Sequence, residues 1–170
     1  MILYVLRHGI AEDVAPGGDD GARRLTPRGR QKLAAGARGM RGLGLAFDGL
    51  WTSPLVRAVE TATIVAQEYG GAIVPQTLPA LAAGVAPAET LRALRVAAGH
   101  ENVLIVGHEP GLSGLVALVL TGSTSGMTLA LKKGGLVALE LPEPRPRSGA
   151  TVRGALRWAL TPRQLRRLGR

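Results

Sequence analysis

The stretch 1-MILYVLRHGI-10 determines the fold class and holds the first candidate site. Its apolar run, Ile2 to Leu6, is typical of a buried β-strand, and the run ends on Arg7 and His8 with Gly9 behind them. A cation and an imidazole at the end of a buried strand need polar partners, because burying them alone is costly. Ligands of open α/β sheets gather at the carboxyl ends of strands, so this end predicts a functional edge.

Two later segments repeat this arrangement. "WTSPLVRAVET" follows a second strand and puts Arg57 in the first turn or so of a helix. "NVLIVGHEP" puts His108 at the end of another buried strand. We therefore expect Arg7, His8, Arg57 and His108, which are distant in the sequence, to meet at one edge of the sheet.

Strand-like and helix-like segments alternate through residue 121, which predicts an α/β fold with a mostly parallel central sheet. "AIVP" (72–75) is interpreted as a short edge strand, and "GLVALEL" (135–141) with "TVRGALRWAL" (151–160) as an added antiparallel pair. Thr26–Pro27 and Ser53–Pro54 are interpreted as helix starts, with Thr26 and Ser53 as the caps. No linker divides the chain, so we expect a single domain over 1–170, in which 145–170 forms a basic strand and short helix.

The formal net charge of +9 lies almost wholly in this basic C-terminal segment. Residues 145–170 hold eight arginines and no acidic residue, so the rest of the chain is near neutral. Aromatic residues make up only 3%, too few to offer stacking platforms for bases, and no nucleic acid is expected as a partner. The segment is either a solvated face or a docking surface for an acidic protein partner.

Several classes of protein are disfavoured by what the sequence lacks. No apolar run is long enough to span a membrane, and the charged residues right after the first strand do not match a signal peptide. We expect a cytoplasmic protein. Zero cysteines and only three histidines provide no convincing metal-ligand set, and no phosphate-binding loop, dinucleotide fingerprint or serine-hydrolase elbow occurs. No metal or other cofactor is expected.

The four expected site residues suit phosphate chemistry. The guanidinium groups of Arg7 and Arg57 match the geometry of phosphate oxygens. One neutral imidazole can attack phosphorus, while the other donates a hydrogen bond to the oxygens that gain charge in the transition state. Cations then do the neutralising that a metal would otherwise do.

The motifs "LRHG", "SPLVRAVET" and "VGHEP" together resemble the histidine phosphatase superfamily, also called the phosphoglycerate mutase-like fold. "RRLTPRGRQ", "LPAL" and "RWALTPRQL" resemble segments of its small SixA-type phosphohistidine phosphatases. The resemblance implies a single-domain three-layer α/β/α fold. It implies that His8 is the nucleophile that becomes phosphorylated, that Arg7 and Arg57 bind phosphate, and that His108 contacts the phosphoryl group.

One departure from the family bears on the substrate. Many larger members carry a glutamate soon after the "LP.L" segment as proton donor, whereas here the next acid is the late Glu89. An imidazole leaves more readily than an alkoxide when no general acid is present. This favours phosphohistidine on a signalling protein, such as a two-component phosphotransfer domain. Glu12 and Glu109 remain possible acids.

Alternatives stay open at this point. The protein could be a broad small-molecule phosphomonoesterase of the same superfamily, or a non-catalytic module that recognises phosphate. Arg57 could pair with Glu60 on the helix surface. His100 is interpreted as structural, while Arg23 and Arg24 are candidates for the mouth of the site. The sequence does not reveal the oligomeric state.

Overall fold

A computed structural model describes residues 1–14, 16–142 and 153–169, and it contains one six-stranded sheet. In chain order the strands are β1 (Ile2–Arg7), β2 (Gly49–Thr52), β3 (Gln76–Thr77), β4 (Asn102–Gly107), β5 (Leu136–Glu140) and β6 (Ala155–Leu160). Their order across the sheet is β3-β2-β4-β1-β5-β6. The sequence therefore places its first strand in the interior of the sheet, with a neighbour on each side.

The sheet is mostly parallel, as predicted. β4 is parallel to β1 and to β2, and β3 is parallel to β2. β5 runs antiparallel to β1, and β6 antiparallel to β5, which confirms an antiparallel pair at one edge. The register opposes Arg7 to Gly107, so β1 and β4 end side by side and the chain leaves both strands at the same edge.

Within the described ranges, five α-helices cover the two faces of the sheet: α1 (Pro27–Gly42), α2 (Val56–Glu68), α3 (Pro87–Ala93), α4 (Gly111–Thr121) and α5 (Pro162–Leu168). Alternate residues of β1 face opposite layers, as the pleat requires. Leu3 and Val5 belong to a core cluster with buried residues of α4. Tyr4 and Leu6 belong to a second cluster with residues of α1, α2 and α5. The result is the predicted three-layer α/β/α arrangement.

The packing of α1 depends on glycines that let other backbone segments come close. A Cβ at Gly39 would lie 1.9 Å from the carbonyl oxygen of Leu165 in α5. A Cβ at Gly29 would lie 2.1 Å from the carbonyl oxygen of Ile10, just beyond the candidate site. The start of α1 is fixed by Thr26, whose hydroxyl accepts the Gly29 N–H at 2.9 Å, and this confirms the predicted cap.

Two local predictions are wrong. The edge strand is Gln76–Thr77 rather than 72–75, because Pro75 has no N–H to donate to a ladder and pairing begins after it. The second helix begins at Val56, and Leu55 is its N-cap residue without a side-chain cap. The Ser53 hydroxyl accepts the Leu55 N–H at 3.2 Å and contacts His108 instead of capping the helix.

The basic C-terminal segment is divided between different surroundings. Arg157 pairs with Glu140 of the adjacent strand at 2.7 Å. Arg163 and Arg166 line a cavity beside α1. The arginines of this segment that lie outside the described residues are Arg145, Arg147 and Arg170. Among the helices of the described ranges, none combines the length and hydropathy needed to cross a membrane.

Candidate active site

The register of β1 and β4 brings two histidines together. His8 and His108 directly follow the paired residues Arg7 and Gly107, and the His8 N–H donates to the Gly107 carbonyl at 3.2 Å. The imidazole centroids lie 5.0 Å apart, and each histidine is only 5% exposed. Two imidazoles separated by exactly 100 positions in the chain therefore share one buried site at the carboxyl edge of the sheet.

The tautomer of His8 is set by its own backbone. Nδ1 lies 2.7 Å from the Gly9 carbonyl oxygen. A carbonyl only accepts, so Nδ1 carries the proton and Nε2 keeps its lone pair. Burial lowers the pKa of His8 to about 3, outweighing the opposite effect of the Gly9 hydrogen bond. His8 is therefore neutral at physiological pH, with a free nitrogen lone pair.

His108 is oriented by Ser53. Its Nε2 lies 2.7 Å from the Ser53 hydroxyl oxygen, which also accepts the Leu55 N–H. The Ser53 hydroxyl has one proton and two acceptor lone pairs, so it can donate to Nε2 or accept from it. Burial, and next the charge of Arg57, lower the pKa of His108 to about 4. The site thus places the lone pair of His8 beside a second neutral imidazole, whose Nδ1 has no partner among the described residues.

Both arginines contribute positive charge to this pair of histidines. The charges of Arg57 and Arg7 lower the pKa of each imidazole, which shows that the four predicted residues form one electrostatic group. Arg57 is 3% exposed, and Arg7 is anchored by donating to the Leu131 carbonyl at 2.8 Å. The structure thus places both imidazoles in one site with the charges of both arginines acting on them, while the phosphate-binding roles of the four residues stay a prediction.

Several buried polar atoms of the site have no hydrogen-bond partner among the described residues. They are Nε of Arg7, Nε of Arg57 and Nδ1 of His108. Buried N–H groups are rarely left unpaired in folded proteins. The two guanidinium Nε–H donors are suited to an anion that offers several acceptor oxygens, and a phosphoryl group does so.

Thr61 connects the first two motifs. Its hydroxyl accepts the Gly9 N–H at 3.0 Å and donates to the Arg57 carbonyl at 2.7 Å. The turn after His8 is thereby fixed to the first turn of α2. Sequence reasoning did not single out Thr61, although it lies within the quoted "SPLVRAVET" segment.

Asp20 contacts Arg57, although no sequence motif pointed to it. It lies in a short 3-10 turn, and its carboxylate pairs with Arg57 at 3.0 Å and Arg23 at 2.8 Å. Its backbone carbonyl also accepts from Arg57 at 2.7 Å. Partial desolvation raises the pKa of Asp20, but the hydrogen bond and charge of Arg57 outweigh it and hold the pKa below its usual value. Arg57 thus meets a carboxylate where a phosphate would bind.

The other candidates have distinct positions. Arg23 borders the site through Asp20, and its charge reaches His108, whereas Arg24 is exposed. Arg57 does not pair with Glu60, which instead contacts Arg30 and accepts the Leu25 N–H. The remaining polar candidates are His100, whose ring packs edge-on against Trp51, Glu12, which accepts the Arg24 N–H, and the exposed Glu89.

Glu109 directly follows His108 in the sequence. One of its carboxylate oxygens contacts the Ser113 hydroxyl, and the other is buried without a partner among the described residues. The described ranges contain no cluster of three His, Cys, Asp or Glu side chains arranged to hold a metal ion.

Comparison with known proteins identifies the family. The profile of the histidine phosphatase superfamily (branch 1) matches residues 3–82. An uncharacterized protein of Picosynechococcus sp. is 39% identical over 145 residues, which cover 82% of this chain and 84% of that relative. The chain belongs to the histidine phosphatase superfamily. It is a phosphatase of the hydrolase class.

Solved structures confirm the fold of this histidine phosphatase. The protein histidine phosphatase SixA complexed with tungstate is similar at a TM-score of 0.77 and 25% identity, covering 97% of this chain and 99% of that one. The alpha-ribazole phosphatase from Shigella flexneri is similar at a TM-score of 0.75 and 18% identity, covering 95% and 97%. The predicted phosphoglycerate mutase-like architecture is thus confirmed, while relatives with different substrates share it.

The neutral histidines predict how the stability of this phosphatase depends on pH. Both folded pKa values, about 3 and about 4, lie below the ordinary 6.5, so the unfolded chain takes up protons first as the pH falls. The contribution of the two neutral histidines to the free energy of unfolding is complete above pH 6.5 and is lost below it, by up to about 1.4 kcal/mol per pH unit for each histidine. The free energy of unfolding, measured with urea at several pH values between 6.5 and 5, should fall less steeply with pH for His8→Asn/His108→Asn than for the wild type. An equal pH dependence would contradict the assignment of buried neutral imidazoles.

The contact between Asp20 and Arg57 predicts competition with phosphate. Asp20→Asn removes the carboxylate charge but keeps the size of the side chain, so we expect inorganic phosphate to bind roughly threefold or more tightly. Calorimetric titration at low ionic strength measures this. Asp19→Asn is the matched control, because it removes the same charge and can still accept the Gly21 N–H. Unchanged or weaker binding by Asp20→Asn would show that Asp20 does not compete.

Proposed function

We propose that this phosphatase works through a covalent phosphohistidine on His8 and dephosphorylates phosphohistidine on a cytoplasmic signalling protein, such as a two-component phosphotransfer domain. The observation that carries the proposal is the tautomer of His8, whose Nδ1 proton is held by the Gly9 carbonyl at 2.7 Å. This leaves Nε2 as a neutral nucleophile in a group with Arg7, Arg57 and His108.

The first step forms one P–N bond and breaks another. The Nε2 lone pair of His8 attacks phosphorus in line with the leaving nitrogen. The substrate imidazole, already protonated by solvent on its other ring nitrogen, departs as neutral imidazole with the electrons of its P–N bond. Arg7 and Arg57 bind the phosphoryl oxygens, and His108, in the tautomer with its proton on Nδ1, donates to the oxygen charge that develops in the transition state. Their unpartnered buried donor atoms supply this capacity.

The second step returns the free enzyme. Water attacks phosphorus, the bond to Nε2 breaks, and inorganic phosphate leaves while His8 recovers its lone pair. Throughout, the Gly9 carbonyl keeps the Nδ1 proton in place, so the imidazole keeps one orientation. The low pKa of His8, about 3, means that no proton has to be removed before attack.

The leaving group supports a phosphohistidine substrate. Beyond the "LPAL" segment the next acid is Glu89, which is exposed at the start of α3. An alkoxide leaves poorly without a proton donor, whereas an imidazole is a far less basic leaving group. The likeness to the protein histidine phosphatase SixA, at 25% identity over 97% of this chain, supports the same substrate class.

A small phosphomonoester is the second candidate substrate, and Glu109 favours it. A carboxyl next to His108, with one oxygen buried and unpaired among the described residues, is placed to donate a proton to an alkoxide. The alpha-ribazole phosphatase of Shigella flexneri shares the fold, which shows that this architecture also accommodates small-molecule phosphatases.

Kinetics on two substrates test the proposal. We expect kcat/KM for a phosphohistidine-bearing phosphotransfer domain to exceed that for a sugar phosphate by about 100-fold or more, and His8→Ala to lose about 10³-fold or more on both. His100→Gln is the matched control, because His100 packs against Trp51. A preference for the sugar phosphate would favour the phosphomonoesterase. Undiminished turnover by His8→Ala would exclude the covalent intermediate.

A further inference from the structure

A cavity of about 670 Å³ opens between α1, the start of α5 and the turn at 132–134. Arg7 and Gly9, which flank His8 in the sequence, also line it. Cavities of 300–1,000 Å³ are typical of sites for small organic molecules.

The lining of this cavity is strongly basic. Six cationic residues and no acidic residue line it, and these cations are Arg7, Lys32, Lys132, Lys133, Arg163 and Arg166. Within the described ranges none of the six forms a salt bridge, although Arg23, Arg30, Arg38, Arg57 and Arg157 all do. Like charges around one cavity repel each other, so their arrangement favours an anion that several of them can share.

The floor of the cavity is apolar. Leu33 and Met40 of α1 contribute to it and are 4% and 0% exposed. Gly36 lies between them on the same helix, and a Cβ there would meet no atom closer than the Leu165 Cβ at 3.9 Å. The glycine therefore leaves open space where a larger side chain would fill the cavity. A ligand that fits has an apolar body as well as charge.

We propose that this cavity is a second ligand site, which binds a small organic polyanion with an apolar body. The six cations hold its anionic groups, and Leu33, with Met40 buried beneath it, forms the apolar floor under its body. His8, His108 and Arg57 do not line the cavity, and of that group it shares only Arg7. Since Arg7 and Gly9 belong to its wall, the ligand lies next to the residues that flank His8.

Pyrene tetrasulfonate is a suitable probe, because it has an aromatic body and four anionic groups but no phosphate ester to hydrolyse. Calorimetric titration of the wild type at low ionic strength should show one binding site. Binding should persist in Arg57→Ala, because Arg57 does not line the cavity. Binding that is absent from the wild type, or that is lost in Arg57→Ala, would overturn the proposal, whatever the fate of the phosphatase mechanism.

Charge-matched pairs of substitutions locate the site. Lys32→Gln/Arg166→Gln removes one lining cation from α1 and one from α5, and we expect at least about tenfold weaker binding. Arg28→Gln/Arg167→Gln removes one exposed cation from each of the same helices outside the cavity, and should change affinity less than about twofold. Equal weakening by both pairs would indicate a general attraction of charge and would overturn the proposal.

Filling the cavity provides an independent measurement. Gly36→Leu places a side chain in the open space over the floor and should abolish binding of pyrene tetrasulfonate, while Gly36→Ala should largely preserve it. Circular dichroism confirms that each variant is folded before titration. Full binding by a folded Gly36→Leu protein would place the probe elsewhere and overturn the proposal.

Discussion

The pairing of β1 with β4 is the constraint on which the site depends. Six consecutive pairs, from Ile2 with Asn102 to Arg7 with Gly107, fix where both strands end. A shift of one residue would turn every side chain of β1 to the opposite layer and exchange its two core clusters. The buried faces resist such a shift. His8 and His108, which follow different strands, are therefore held at a centroid separation of 5.0 Å.

Burial then gives the two imidazoles their chemistry. Burial does most to keep His8 neutral, and the charges of Arg57 and Arg7, which attract an anion, also disfavour its protonated form. Backbone and hydroxyl groups complete the arrangement, since the Gly9 carbonyl fixes one ring and Ser53 the other. Asp20 lies on an exposed turn and offsets part of the positive charge of Arg57. At this turn an anion from solvent can compete with the Asp20 carboxylate for Arg57.

The sequence was informative where a pattern is local. A buried strand ending in Arg7 and His8 can be read directly, and so can the cap formed by Thr26 before Pro27. Ser53 precedes a proline in the same way, yet its hydroxyl serves His108 in another part of the chain, and tertiary contact overrides the local cap signal. Asp20 could not be selected, because its role arises from the folding of a glycine-rich turn over α2. The cavity could not be predicted either, since its cations come from four separate segments of the chain.

The ring nitrogen that receives the phosphoryl group tests the central claim most directly. Phosphoenzyme trapped by rapid quench at alkaline pH, where phosphohistidine is stable, can be mapped by mass spectrometry and its isomer assigned by phosphorus NMR. The account predicts one phosphoryl group on Nε2 of His8, because Nδ1 is engaged by the Gly9 carbonyl. A phosphoryl group on Nδ1 of His8, or on His108, would contradict it.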